Sequence, residues 1–314
     1  MSAASAVEVD EDENENEKKD LAKYYKVSSE VMGFTKGKSV DGASAVLSRF
    51  DFLYPTSKTL DIKDENLKVT LDEDGDSLVV RKNQLNKKED VLLIEHQNAT
   101  TLNLVGEQVW AAALFLADFI LQNHSIFKGA HVLELASGVG LTSIVAAMFA
   151  AKVTITDIDV GEILELIRRN VDRNSHLLRG EVDVKVLDFF EQTTIESVCN
   201  SMDNVTVLLA ADVIYNNPLT DCFMNTVLRL MSEPPNKTLY LAMEKRYVFT
   251  LEDMDAVAPC YEYLLDRLEW LRCQNLSRVE WSIEMLASPC DQYFTYERSK
   301  HLVMWRITSR LKTL

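Results

Sequence analysis

The segment Glu134-Leu-Ala-Ser-Gly-Val-Gly140 holds the first residues whose types and spacing suggest chemistry. It closes an apolar run at 131–135 and leads straight into a helical pattern at 141–150. In an open α/β sheet such a turn lies at the carboxyl end of its strand, where free N–H groups of the helix point at a ligand. Gly138 and Gly140 let the backbone approach that ligand closely, and Glu134, Ala136 and Ser137 complete the loop. A dinucleotide fingerprint beginning at Gly138 would need glycine at 143, where Ser143 stands, so a pyrophosphate is disfavoured. Asp157 ends the next apolar run, 19 residues after Gly138, where a nucleoside ligand requires an acid for its ribose hydroxyls. The third run ends in Asp188-Phe189, an acid beside an aromatic face suited to adenine, and the fourth in Ala211-Asp212-Val-Ile-Tyr215. Four strand ends would thus converge on one crevice.

The elements that must position these residues follow from periodicity. Strand-like runs at 131–135, 153–156, 182–187, 205–210 and 238–243 alternate with helical patterns at 141–150, 161–174, 193–201 and 219–231. The first four runs are continuously apolar, as in strands buried on both faces. The pattern is that of an α/β protein with a doubly wound, mostly parallel sheet. Residues 106–122 read as one helix, apolar on most sides and therefore buried. A helix at 252–271 and strands at 276–283, 293–296 and 302–307 predict an antiparallel finish to the sheet.

Ahead of this region, residues 1–20 carry eight acids and two lysines, too few apolar groups to repay ordering, and predict a disordered tail. Residues 21–95 read as a β-rich extension, with apolar groups at 45–47 and 50–54. Within it, Asp74-Gly75 between β-branched segments predicts a hairpin at 67–82. A calcium loop is disfavoured there, because Ser77 and Asn83 occupy the positions that need Gly and Glu. The remaining 96–314 form the domain that holds the crevice.

The formal charge of −16, with 49 acids against 33 bases, disfavours direct binding to nucleic acid, which rewards Lys and Arg through counterion release. Residues 96–314 carry −9 of that charge, so acidity belongs to the crevice domain as well as to the tail. The longest apolar stretch is short and contains Asp118, so no membrane span is expected. No secretory or mitochondrial signal is evident, which predicts the nucleus, the cytoplasm or both. Five cysteines without a Cys-x-x-Cys and five scattered histidines support neither disulfides nor a metal site, although His96 stands close enough before 106–122 to reach the crevice.

Taken together, Gly106-Glu-Gln-Val-Trp110, Leu133-Glu-Leu-Ala-Ser-Gly-Val-Gly-Leu141, Thr156-Asp157 and Leu187-Asp188-Phe189 resemble the seven-strand S-adenosylmethionine-dependent methyltransferases. Asp212-Val-Ile-Tyr215 is similar to the Asp/Glu-x-x-Tyr/Phe mark of their protein-lysine methyltransferase group. The resemblance covers most of 40–308 and implies a seven-stranded Rossmann-like sheet, S-adenosyl-L-methionine as cofactor, and a protein substrate that presents a lysine. With the acidic domain, that lysine is expected in a basic segment, and the enzyme is expected to be a monomer. The resemblance also implies roles: Trp110 packs on the methionine part, Ala136, Ser137 and Gly138 line the cofactor, and Asp157 holds the ribose. Phe189 would flank adenine and Ala211 would lie near the sulfonium, with Glu134, Gly140 and Asp188 completing the cofactor site. Asp212 and Tyr215 would face the target lysine. One departure is Ala136, where the family usually has Gly; its cost depends on whether φ is positive there. Two rivals are a methyltransferase acting on a nucleic-acid base or small molecule, and a cofactor-binding interaction protein without catalysis. Base methyltransferases of this fold carry two prolines where Val213 and Ile214 stand.

Overall fold

The computed structural model describes residues 26–28, 38–39, 45–55, 87–250, 255–274, 279–287 and 290–312. The acidic segment 1–20 and the expected hairpin at 67–82 lie outside these residues. In the amino-terminal part, β1 (Lys26–Ser28) pairs with β5 (Ala99–Thr101). There, β2 (Lys38–Ser39), β3 (Ala45–Pro55) and β4 (Lys87–Gln97) form an antiparallel sheet. Both apolar groups at 45–54 fall in the single strand β3.

Next come α1 (Ala111–Gln122), α2 (His124–Phe127), β6 (His131–Glu134), α3 (Leu141–Ala147), β7 (Lys152–Asp157), α4 (Ile163–Arg173) and β8 (Glu181–Val186). After these follow α5 (Gln192–Cys199), β9 (Val205–Ala211), α6 (Asn217–Met231) and β10 (Lys237–Glu244). The chain ends with β11 (Val248–Thr250), β12 (Asp255–Val257), α7 (Pro259–Arg272), β13 (Val279–Met285) and β14 (Leu302–Leu311). The main sheet has the order β13-β14-β10-β9-β6-β7-β8. Neighbours from β10 to β8 are parallel, while β14 runs antiparallel to both β10 and β13. The seven-stranded, doubly wound, mostly parallel fold class is as the sequence predicts. Strand order reverses between β6 and β9, the switch point outside which α/β sheets bind ligands.

Side chains alternate across the sheet with period two. Val132, Val207, Leu209 and Ala242 belong to one core with α1, α3 and α4, whereas Leu133, Leu208, Ala210 and Leu241 belong to a second with α6 and α7. That two-sided burial explains why these strands lack polar alternation.

Three elements depart from expectation. The helix expected at 106–122 is broken: Leu102–Glu107 is a short 3₁₀ turn, and Gln108 and Trp110 are extended before α1 begins at Ala111. Strand β12 precedes α7, which starts with Pro259 in its first turn, so the helix expected at 252–271 is shorter. Residues 293–296 are not a strand. Asp118 in α1 accepts the N–H of Tyr293 at 2.8 Å, the N–H of Phe294 at 3.0 Å and the Tyr296 hydroxyl at 2.9 Å, so two backbone donors go to a buried carboxylate and only an isolated bridge from Phe294 to Phe52 forms.

The β3/β4 sheet docks on α4 through two asparagines. Asn170 accepts the N–H of Glu95 at 2.8 Å and donates to its carbonyl at 2.9 Å; Asn174 does the same with Leu93 at 2.9 and 2.7 Å. The four residues from Asn170 to Asn174 advance about 6 Å along the helix and two strand residues about 6.6 Å, so the pairs match. Arg169 and Arg173 close the junction on the Glu95 carboxylate, at 2.9 and 2.5 Å. Asn170 also donates to the Val139 carbonyl at 3.0 Å, inside the glycine loop. Replacing Asn170 with Ala leaves three buried backbone groups unpaired, and is expected to cost about 3 kcal/mol in urea unfolding of the full chain. A loss below about 1 kcal/mol would show that the junction does not depend on this amide.

Candidate active site

The turn after β6 is built on alternate left-handed residues: φ is +50° at Ala136, +56° at Gly138 and +81° at Gly140. A Cβ on Gly138 would stand 2.9 Å from the Gly106 carbonyl oxygen, so glycine is required there for conformation and for space. The loop is pinned from β7: the Ser137 N–H donates to the Thr156 carbonyl at 2.9 Å and the Gly138 N–H to Asp157 Oδ2 at 2.7 Å. The second Asp157 oxygen accepts the Ile158 N–H at 2.8 Å. Burial pushes the Asp157 carboxyl up to about 6, against the pull of these two N–H groups.

Glu134 lies beneath the loop. Its carboxylate accepts the hydroxyl of buried Ser143 on α3, and burial pushes it up to about 7. It therefore supports the turn from inside. The Ser137 hydroxyl is buried without a hydrogen-bond partner among the described residues, an acceptor-donor available to a ligand. At the end of β8, Asp188 Oδ1 accepts the Phe190 N–H at 2.8 Å. Phe189 packs edge-on against Phe223, with centroids 5.6 Å apart, and is almost wholly buried; the ring exposed at this strand end is Phe190, at 63%.

The end of β9 carries the second strained turn. Ala211 is half-buried, and Asp212, at φ +57°, donates its N–H to the Ala242 carbonyl at 2.9 Å. A helix-capping role for Asp212 is excluded, because Asn216 caps α6 by accepting the Leu219 N–H at 3.1 Å. The Asp212 side chain is only 4% exposed, and its Oδ2 lies 2.6 Å from an Arg246 guanidinium nitrogen. Burial raises the Asp212 pKa while Arg246 opposes that rise. Val213 and Ile214 are buried, and Tyr215 is 42% exposed. The Tyr215 pKa is raised by burial and then by the charge of Asp157 at the end of β7.

Trp110 enters from the extended stretch before α1; its Nε1 donates to the Val105 carbonyl at 2.9 Å, and its ring faces Arg246 at 5.0 Å. The structure therefore brings together Trp110, Ala136, Ser137, Gly138, Gly140, Asp157, Ala211, Asp212 and Tyr215 around the turn points of β6, β7 and β9. In the sequence Glu244-Lys-Arg246 reads as either structural pairing or the lining of a substrate channel, and nothing in it specifies Asp212, 34 residues away, as the partner of Arg246. His96 does not reach the crevice: it is buried on β4, 2.7 Å from the Ser48 hydroxyl, with its pKa lowered by burial. Among the described residues no cluster of His, Cys, Asp and Glu could hold a metal ion.

A family profile described as "Lysine methyltransferase" matches residues 86–257. Methyltransferase-like protein 22 of Mus musculus is 35% identical over 291 residues, which cover 77% of this chain and 74% of that protein. Its Homo sapiens counterpart is 36% identical over 233 residues, or 69% of this chain and 57% of that protein. EEF1A lysine methyltransferase 3 of Mus musculus is 34% identical over 143 residues, 45% of this chain and 57% of that protein.

Ala136 sits in the left-handed region where its Cβ is strained, at a cost of about 1–2 kcal/mol. Glycine would remove that strain but add unfolded-state entropy worth about 0.4–1 kcal/mol. Ala136→Gly is therefore expected to stabilise the chain by about 0.5–1 kcal/mol, read as a higher urea midpoint at unchanged slope. A lower midpoint would show that the alanine methyl contributes packing that outweighs its backbone strain.

Proposed function

The chain belongs to the family of S-adenosylmethionine-dependent lysine methyltransferases, and from that premise we propose that its crevice delivers a protein lysine to the cofactor through Asp212 and Tyr215. The residues present fit the cofactor. The Ser137 hydroxyl is buried with no partner among the described residues, and Asp157 ends the strand next to the loop. When bound, S-adenosylmethionine supplies an electrophilic methyl group on a sulfonium. Asp157 would accept the ribose hydroxyls, the Ser137 hydroxyl would hold a polar atom, and Trp110, Ala136 and Ala211 would line the apolar part. Asp188 and the exposed Phe190 ring at the end of β8 would border the base.

A free lysine ammonium has a pKa near 10.4, so the site must both attract the cation and dispose of a proton before nitrogen can attack. Asp212 supplies a buried anion to receive the ammonium and to take or relay its proton. Tyr215, half in solvent, orients the nitrogen through its hydroxyl or ring face. Aligning nitrogen with the methyl carbon is the main contribution, and no covalent enzyme intermediate is needed. The observation that carries this reading is the Asp212 carboxylate, buried at a strained turn beside the crevice and released from any capping duty. Buried Val213 and Ile214 and the −9 charge of residues 96–314 favour a cationic protein segment over a nucleic-acid base. A nuclear or cytoplasmic location, where such substrates abound, belongs to the same proposal.

Asp212→Ala and Tyr215→Phe, made separately, are expected to bind S-adenosylhomocysteine as the unmodified chain does in calorimetry. Each should lower radiolabelled methyl transfer to proteins of a cell extract by about 100-fold or more. Unchanged labelling by both variants would sink the assignment. Burial pushes the Asp157 carboxyl up to about 6, and its ionised form is the stronger acceptor for hydroxyls. Affinity for S-adenosylhomocysteine is thus expected to weaken as pH falls through about 6 and to level off above it, whereas a flat profile from pH 5 to 8 would remove Asp157 from the ribose.

A further inference from the structure

Arg246 lies between two groups that each bind cations. One guanidinium nitrogen is 2.6 Å from Asp212 Oδ2, and the guanidinium carbon stands 5.0 Å from the centre of the Trp110 ring. The Asp212 carboxylate is 4% exposed, while the Arg246 side chain is 41% exposed. The guanidinium is thus the solvent-exposed end of a pair whose carboxylate is buried. We infer that Arg246 is an internal occupant of the amine site, which a target lysine must displace from Asp212. The inference rests on the reading that Asp212 receives the lysine.

Three observations carry it. The exchange replaces one cation by another on a desolvated carboxylate, so the site never holds a bare buried charge, the state that costs most. The residues on either side are anchored independently: Lys245 donates its N–H to the His301 carbonyl at 3.0 Å and places its ammonium 4.2 Å over the Tyr261 ring, and Tyr247 packs on His301 at 4.9 Å. The backbone of the segment is therefore held by residues other than Arg246. Finally, a guanidinium stays protonated at every working pH, so this occupant presents no free amine to the methyl donor, as a lysine in its place would. The arrangement lets the site select against weak binders, since only an amine whose surrounding segment also binds repays the displacement.

The test uses n-butylammonium as a lysine side-chain probe, with binding to the full chain read by saturation-transfer NMR. Arg246→Ala is expected to bind the probe at least about 10-fold more tightly than the unmodified chain, with Arg246→Gln as a second variant should the first fail to fold. Low-millimolar guanidinium chloride should compete the probe away from Arg246→Ala, and adding Asp212→Asn should abolish binding. Equal binding by the unmodified chain and both variants, no binding by any of them, or binding that survives Asp212→Asn would each overturn the inference. A variant that gains probe binding through Asp212, in a chain that labels no protein in extract, would sink the proposed function and leave Arg246 as occupant of a cation site.

Discussion

The hydrogen bond from the Gly138 N–H to Asp157 is the constraint on which most of the structure around the crevice depends. It fixes a turn that takes positive φ at every second residue from 136 to 140, a conformation the chain would not hold unaided. Other elements bear on the same few atoms. The Gly106 carbonyl fills the space a Cβ on Gly138 would need, Ile167 of α4 sits against Gly140, and Asn170 holds the Val139 carbonyl. Because Asn170 also pairs with both backbone groups of Glu95, the amino-terminal sheet and the ligand loop share one side chain. A disturbance at that junction would therefore reach the crevice through packed atoms.

The buried acids serve two different purposes. Glu134 and Asp118 are spent on structure: the first holds Ser143 under the loop, and the second gathers the donors of residues 293–296 onto α1. Asp157 and Asp212 have their carboxylates at strand ends facing the crevice, and burial raises both pKa values. Desolvation makes each a stronger electrostatic partner for whatever donor or cation enters. Arg246 satisfies Asp212 in the meantime, much as the two N–H groups satisfy Asp157.

Ala136 and Asp212 are both non-glycine residues at positive φ, and they end the adjacent strands β6 and β9. At that switch point the chain must leave the sheet sharply in order to expose backbone and side chains to a ligand. Strain concentrated there is the cost of presenting functional groups, and it is carried by the two-sided core around the strands.

Much of this was legible in the residues because the responsible physics is local. Continuous apolar runs imply strands buried on both faces, Gly138 and Gly140 mark a turn, and Asp157 and Asp212 stand at run ends where the topology makes ligand sites. The break before α1 was not legible, because apolar spacing cannot tell an extended Trp110 from a helical one when tertiary contacts with the glycine loop decide. The direction of a side chain was equally hidden: Glu134 turns inward, Phe189 packs into the core and Phe190 faces solvent. The sequence by itself thus determined the sheet and the placement of its strand ends, since period and residue type govern them. Only the tertiary structure decided that Arg246 covers Asp212 and that Asn170 ties the amino-terminal sheet to the loop, pairings 34 and 75 residues apart in the chain that depend on the packing of the whole fold.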